Sequence, residues 1–360
     1  MANLAFDRVR DTSTTTGTGT VTVSGTAPLT YRTLSTVYSI NDQFDVVIVH
    51  RTLDEWEVVE ATYSAANQFT RGRVYSSSNA GAAVNFSAGT KDVIVIPIAA
   101  RAGRERLTAD RTYYVRTDGN DSNTGLVNSA GGACLTIQAA FNIIAATLDV
   151  ASYTVTISVG AGTFADGVTV PAWVGGGSII VSGAGATTII SVTSGHCFNM
   201  LSPMSGNLTL DQMKLTTTGG GGGSCILVGG VGCSVYVGAV EFGACVYYHM
   251  AATGIGSFIY AYANYTISGG ALAHVSVDYQ SQMSTYGITI TVSGTPAWGT
   301  AFALAANLGL ILFDATTISG SATGKRYQGT MGAGINTNGG GANYFPGNSA
   351  GTVATDAWYN

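Results

Sequence analysis

The chain has 360 residues, of which 49 are glycine, only 6 are proline and 10% are charged, with a formal net charge of −5. That length allows two or three domains with sizeable cores. The shortage of proline argues against a disordered linker protein, and the acidic balance leaves no basic footprint for nucleic acid.

The charge is unevenly spread. Residues 1–121 hold 12 Lys/Arg and 13 Asp/Glu, whereas residues 122–360 hold 3 and 7. No run approaches the ~20 apolar residues of a membrane helix, so no membrane insertion is expected. The opening "MANLAFDRVRDTSTT" lacks the apolar core of a secretory leader. Cys134, Cys197, Cys225, Cys233 and Cys245 show no CxxC spacing and read as reduced, buried thiols of a protein made in a cytoplasm.

Residues 1–98 alternate apolar and polar side chains with period two in "GTVTVSG", "DVVIVH", "EWEVVEATYS", "AVNFS" and "DVIVIPI". These predict strands of a small antiparallel β-sandwich or barrel. Residues 99–111 carry Arg101, Arg104, Arg106 and Arg111 and read as a solvated linker.

A strand at "YYV" leads into the turn-rich "DGNDSNTG". Asp118, Asn120 and Ser122 alternate as in a calcium loop, but Ser129 stands where the bidentate glutamate belongs, so turn formation is the simpler reading. One amphipathic helix is predicted over 136–148. Ile137, Ala140, Phe141, Ile144 and Leu148 lie on one face, and Thr136 is a suitable cap.

From Tyr153 to about Gly320 short strands follow one another without helices. A local shape recurs: two apolar residues one spacer apart, then a third five residues on. Leu208, Leu210 and Leu215 fit it, as do Val235, Val237 and Phe242, and Ile311, Phe313 and Ile318. Self-similarity of this kind in an all-strand region predicts stacked coils. The predicted fold class is therefore all-β, with a right-handed parallel β-helix over 112–320, the helix capping its first coil and residues 321–360 forming a Gly-rich tip. A β-sandwich is the competing architecture. Walls of Thr, Ser, Asn and Tyr with so few charges suit a surface hidden against other copies, so a homo-oligomer is expected.

Several stretches resemble tailed-bacteriophage tail and fibre proteins. In the N-terminal attachment domain these are "DTSTTTGTGTVTVSGTAPLTYRTL", "EWEVVEATYS", "TRGRVYSSSN" and "VNFSAGTKDVIV". "TADRTYYVRTDGNDSNTG" followed by "LTIQAAFN" is similar to the lead-in of their β-helices, and "GGGANYFPGNSAGTVATDAWYN" resembles their C-terminal endings. Between about 150 and 320 the likeness is of architecture alone. The resemblance implies a structural virion protein, a homotrimer whose residues 1–98 contact other tail or head proteins and whose shaft meets a host-surface glycan or protein. A gene-transfer-agent-like particle would use the same parts.

Two other functions compete with receptor binding. A passive head or tail decoration or adaptor is one. A polysaccharide depolymerase is the other, and it needs two carboxylates about 5–10 Å apart. After residue 122 the acids are Asp149, Asp166, Asp211, Glu241, Asp278, Asp314 and Asp356. Asp211, Asp278 and Asp314 follow apolar strand residues in a similar way, so stacking could pair them. A lyase would also need a cation, and only Lys214, Lys325 and Arg326 are at hand. His249 and His274 lie about one coil apart and read as a pair on the wall rather than a metal site. His196 and Cys197, adjacent in a strand, point to opposite faces and cannot share a proton. "TGGGGGSC" lacks the Gly-Lys-Ser/Thr ending of a phosphate loop. No cofactor or metal is expected. For receptor contact the candidates are Tyr236, Tyr247, Tyr248, Tyr260, Tyr262, Tyr265, Tyr279 and Tyr286, whose flat rings with one hydroxyl suit sugar or protein surfaces. The plainer alternative is that they stack along the wall or between chains.

Overall fold

The computed structural model describes residues 6–97, 104–202, 206–221 and 223–360. It separates into two compact units, Met1–Arg104 and Glu105–Asn360. Part of the predicted linker, including Arg101, lies outside the described residues.

In the first unit, six antiparallel strands form one sheet. In spatial order they are Arg10–Ser13, Lys91–Val95, Gln43–His50, Trp56–Ala65, Gln68–Ser77 and Val21–Thr22. The two edge strands are themselves joined: Ser24 N donates to Thr12 O at 2.7 Å, beside an antiparallel bridge between Ser13 and Val23. The sheet thus closes as a small barrel does. Phe44, Val46, Ile48, Val59, Phe69 and Val93 fill its interior. Among them lies a buried ion pair, Arg71 Nη1 to Glu57 Oε2 at 3.2 Å. Two strands escaped the sequence reading. Gln68–Ser77 has its alternation broken by "RGR", and Arg10–Ser13 is polar throughout. The expected strand in "AVNFS" is reduced to one bridge, Gly17 to Phe86.

The second unit is a parallel β-solenoid of about eight turns, with ten-, seven- and eight-stranded sheets as its three walls. One inward ladder shows why it winds. Ile157, Val181, Leu210, Val237, Ala261, Thr285 and Phe313 are successive register partners, in steps of 24, 29, 27, 24, 24 and 28 residues. Branched and aromatic side chains at alternate positions fill the interior, while each backbone pairs with the coils above and below. The recurring triplets are inward residues too: Leu208 and Leu210 sit on the ten-stranded wall, and Leu215 on the seven-stranded wall after a corner.

The helix spans Ile137–Thr147, with Thr136 capping it by accepting from Ala139 N at 3.1 Å. Ile137, Ala140, Phe141 and Ile144 join the solenoid core. Gln138 Oε1 accepts from Thr169 N at 2.8 Å, satisfying a donor on the edge strand Val168–Thr169, so the helix covers the first coil.

Two boundaries differ from expectation. Glu105–Arg106 pairs in parallel with Leu148–Asp149, and Leu107 is buried in the solenoid core, so the end of the predicted linker belongs to the solenoid. The C-terminal segment is no separate tip. Tyr327–Gly329, Gly334–Asn336, Thr352–Val353 and Trp358–Tyr359 continue the same parallel ladders. Glycine density there reflects tight corners rather than a new fold.

Candidate functional site

The outward residues of the ten-stranded wall form three ladders, because every second side chain on a strand points to solvent. One runs Ser234, Phe258, Gln282, Leu310, Gly334, Trp358. The next runs Thr209, Tyr236, Tyr260, Ser284, Leu312, Asn336. In the third, Asp211, Gly238 and Tyr262 close one end, and Tyr286 pairs with Asp314 at the other.

Rings touch both across coils and along a strand. Tyr236 and Tyr260 meet edge to face with centroids 6.0 Å apart, and Phe258 stacks on Tyr260 at 6.2 Å and 10°. Burial and the nearby Asp211 carboxylate push the Tyr262 phenol pKa up, so it stays a neutral donor and acceptor. Below them Tyr286 stands largely exposed beside a hollow of 240 Å³, lined by Ser284, Leu312, Asp314, Asn336 and Asn338. Asn338 Nδ2 donates to Asp314 Oδ1 at 2.8 Å, which aims the carboxylate and leaves its other oxygen for a hydroxyl donor. A rigid sheet presenting flat rings, one carboxylate and two amides can hold a polyhydroxylated ligand.

The three acids offered for hydrolysis do not meet. Asp211 and Asp314 lie on one wall four coils apart, or ~19 Å at ~4.8 Å per coil, well outside the ~5–9.5 Å of glycosidase pairs. Asp278 lies at the end of the eight-stranded wall, where its Oδ1 accepts from Tyr279 N at 2.9 Å and Asn307 Nδ2 at 2.6 Å. Asp211 Oδ1 accepts from Ala239 N at 2.7 Å and occupies the space over Gly238. Both act as corner carboxylates, so Asp211, Asp278 and Asp314 form no stacked pair. Of the other acids, Asp149 pairs with Arg106 at 2.8 Å, and Glu241 with Lys214 at 2.6 Å. Asp166 borders a 190 Å³ pocket at the start of the helix.

The tyrosines divide. Tyr236, Tyr260, Tyr262 and Tyr286 share the ten-stranded wall. Tyr247 and Tyr248 adjoin each other at the start of an eight-stranded-wall strand, and Tyr279 sits in a corner. Tyr265 is not a surface residue: it is buried, and its hydroxyl lies 2.8 Å from His274 Nε2. The histidine pair is also interior rather than on the wall. His249 and His274 are fully buried, with Nδ1 atoms 3.0 Å apart, and Phe242, Trp298 and Phe302 surround them. Burial holds the His249 pKa down to about 4 and that of His274 well below the usual range. No group of three or more metal-ligating side chains occurs among the described residues. His196 accepts from Ser224 N through Nδ1, while the buried Cys197 thiol faces Ile190 O and Thr216 O, so they share no proton. All five cysteines are buried free thiols.

Asn336 and Asn338 went unnoticed in the sequence because they lie in the segment read as a tip. The spacing of Tyr286, Asp314 and Asn338 by roughly one coil was the available signal. Among the described residues, no helix is long and apolar enough to cross a membrane.

No protein-family model matches the chain, and no curated protein matches it. A solved pectin methylesterase from Aspergillus niger, in deglycosylated form, aligns with 71% of this chain and 85% of its own at 12% identity and a TM-score of 0.35. The solenoid rests on the strand ladders of the chain itself.

Proposed function

We propose that the chain is the subunit of a trimeric fibre or spike on a tailed-phage or phage-like particle, mounted through residues 1–98 and contributing to adsorption by binding a host-surface glycan. The solenoid is a stiff shaft, and its ten-stranded wall is the recognition face. The observation that carries the recognition step is the set of Tyr286, Asp314, Asn336 and Asn338 around one hollow, beside the stacked rings of Tyr236, Phe258 and Tyr260. Rings supply apolar faces for sugar C–H groups, and the carboxylate and amides take hydroxyls. The mount and the trimer rest on the sequence resemblance and on the near absence of charge after residue 122.

Binding without cleavage is the better reading because Asp211 and Asp314, the candidate carboxylates that share the ten-stranded wall, stand four coils or ~19 Å apart, beyond the span of a glycosidase pair. Incubation of the purified protein with surface polysaccharide from a susceptible host distinguishes the cases. Retention of the polysaccharide at unchanged chain length supports the proposal. Shortened chains would establish a depolymerase. No retention, with adsorption unaffected by loss of the protein, would leave a decoration or adaptor.

A further inference from the structure

Each coil turns from the eight-stranded wall into the ten-stranded wall through a short corner, and six successive corners put a large apolar side chain into solvent. They are Leu201, Val231, Ile255, Tyr279, Leu308 and Met331, each between 55% and 64% exposed. The corners stack. Gly232 N donates to Ile255 O, Gln280 N to Asn307 O and Leu308 N to Met331 O, each at 3.0 Å. The six side chains therefore form one ridge along the solenoid, five coil steps or ~24 Å long at ~4.8 Å per step. Between the rungs Ile255, Tyr279, Leu308 and Met331 border a hollow of 360 Å³.

In one chain more than half of each of these residues meets water. Tyr279, Leu308 and Met331 adopt φ of +50°, +63° and +53°, the left-handed region that costs a side chain about 1–2 kcal/mol over glycine. In two earlier corners glycine takes the left-handed position directly after the apolar residue, at Gly232 and Gly256. A strained turn that still shows Leu or Met to water gains nothing within the monomer.

We infer that this ridge is the contact between parallel copies of the chain, each coil meeting the same coil of its neighbour around a common axis. The inference rests on the reading that the chain works as an assembly, and it assigns the face. Size supports it: six large apolar residues, each more than half exposed, follow one another along one edge, where a monomer rarely shows a contiguous apolar patch of more than a few hundred Å². Repeat supports it as well. A second copy carries the same apolar knob at the same spacing, so register is matched along the whole ridge. Charge does not oppose it. Asp278 is the sole Asp, Glu, Lys, Arg or His in these corners, and its Oδ1 is held by Tyr279 N and Asn307 Nδ2.

Sedimentation of the full chain is the test, with Ile255→Asp plus Leu308→Asp against wild type. The expected result is a multi-chain wild type and a variant at the mass of one chain with an unchanged β-sheet circular dichroism spectrum. A monomeric wild type at micromolar concentration, or a variant that keeps the wild-type mass, overturns the inference. If the double variant fails to fold, single thiols decide. The native cysteines are buried, so an introduced one is the reactive group. A short bismaleimide should join chains at Val231→Cys and Met331→Cys but not at Thr266→Cys on the seven-stranded wall. Joining only at Thr266→Cys, or at none of the three in a folded oligomer, overturns the ridge while leaving glycan binding by the ten-stranded wall untouched.

Discussion

His249 and His274 face each other Nδ1 to Nδ1 at 3.0 Å across adjacent coils, inside an apolar core. The proton order follows from their outer partners. The Gly243 carbonyl, 2.9 Å from His249 Nε2, can only accept, so that nitrogen carries hydrogen. In a neutral ring His249 Nδ1 is then an acceptor, His274 Nδ1 donates to it, and His274 Nε2 accepts from the Tyr265 hydroxyl. Three side chains from two walls are satisfied in one direction without a charge.

Acid should therefore loosen the solenoid. The unfolded histidines protonate near 6.5, whereas His249 in the fold resists until about 4 and burial beside His249 holds His274 well below its usual range. Below 6.5 the unfolded state binds more protons, so stability falls with falling pH, by up to ~1.4 kcal/mol per pH unit for each histidine. Urea midpoints at pH 7.5 and 5.0 measure it. A His249→Phe, His274→Phe double variant should flatten the dependence even if its midpoint at pH 7.5 is lower.

Tyr265→Phe removes the terminal donor and leaves His274 Nε2 an unpaired buried acceptor. A loss of ~1–3 kcal/mol is expected, read as a lower urea midpoint with unchanged slope. An unaffected midpoint would mean that Tyr265 contributes only its ring.

Arg71→Met in the barrel strands Glu57, whose Oε2 also accepts from Val84 N at 2.6 Å. Removal of one partner of a buried ion pair costs about 3–5 kcal/mol. Faster proteolysis within residues 6–97, with the solenoid fragment surviving, is the signature to look for.

Gly223→Ala should be among the worst small changes in the solenoid. A Cβ there would lie 1.3 Å from the Gly195 carbonyl oxygen of the neighbouring coil. The coils cannot close to ladder distance without moving that backbone, so loss of soluble protein on expression is the expected result. Gly220→Ala, with open space at its Cβ, is the control.

On the recognition wall, Tyr286→Ala and Asp314→Asn should each weaken glycan retention about tenfold, the effect of losing ~1.4 kcal/mol. Asp278→Asn should leave it unchanged, since Asp278 belongs to a corner on another wall. Equal loss in all three would point to a general disturbance rather than a site.

The stacked architecture was legible because inward residues such as Leu208, Leu210 and Leu215 alternate within each strand and recur with the same five-residue step across a corner. Where alternation fails, the reading fails with it. His249 and Met250 are both buried, as are His274 and Val275, so a pattern of period two misassigns one of each pair and sends the histidines to the wall. Tyr265 is inward by parity, yet its hydroxyl suggests a surface until His274 is seen beside it. The carboxylate distances were out of reach for another reason. Sequence order tells which residues recur, but only the register tells that Asp211 and Asp314 are four coils apart. Gln68–Ser77 was missed because Arg71 turns a cation inward, which no hydrophobic pattern anticipates.

The coil-to-coil ladder has a consequence for how such a chain changes over generations. Each rung bonds only to the rung above and the rung below, so duplication or loss of one whole rung lengthens or shortens the rod by ~4.8 Å and asks nothing of the remainder. Reach becomes a heritable quantity tuned in equal increments. Changes of a few residues in a corner alter that rung alone, as the steps of 24 to 29 residues show, whereas a single-residue change within a strand turns its inward side chains outward and should be rare among natural variants.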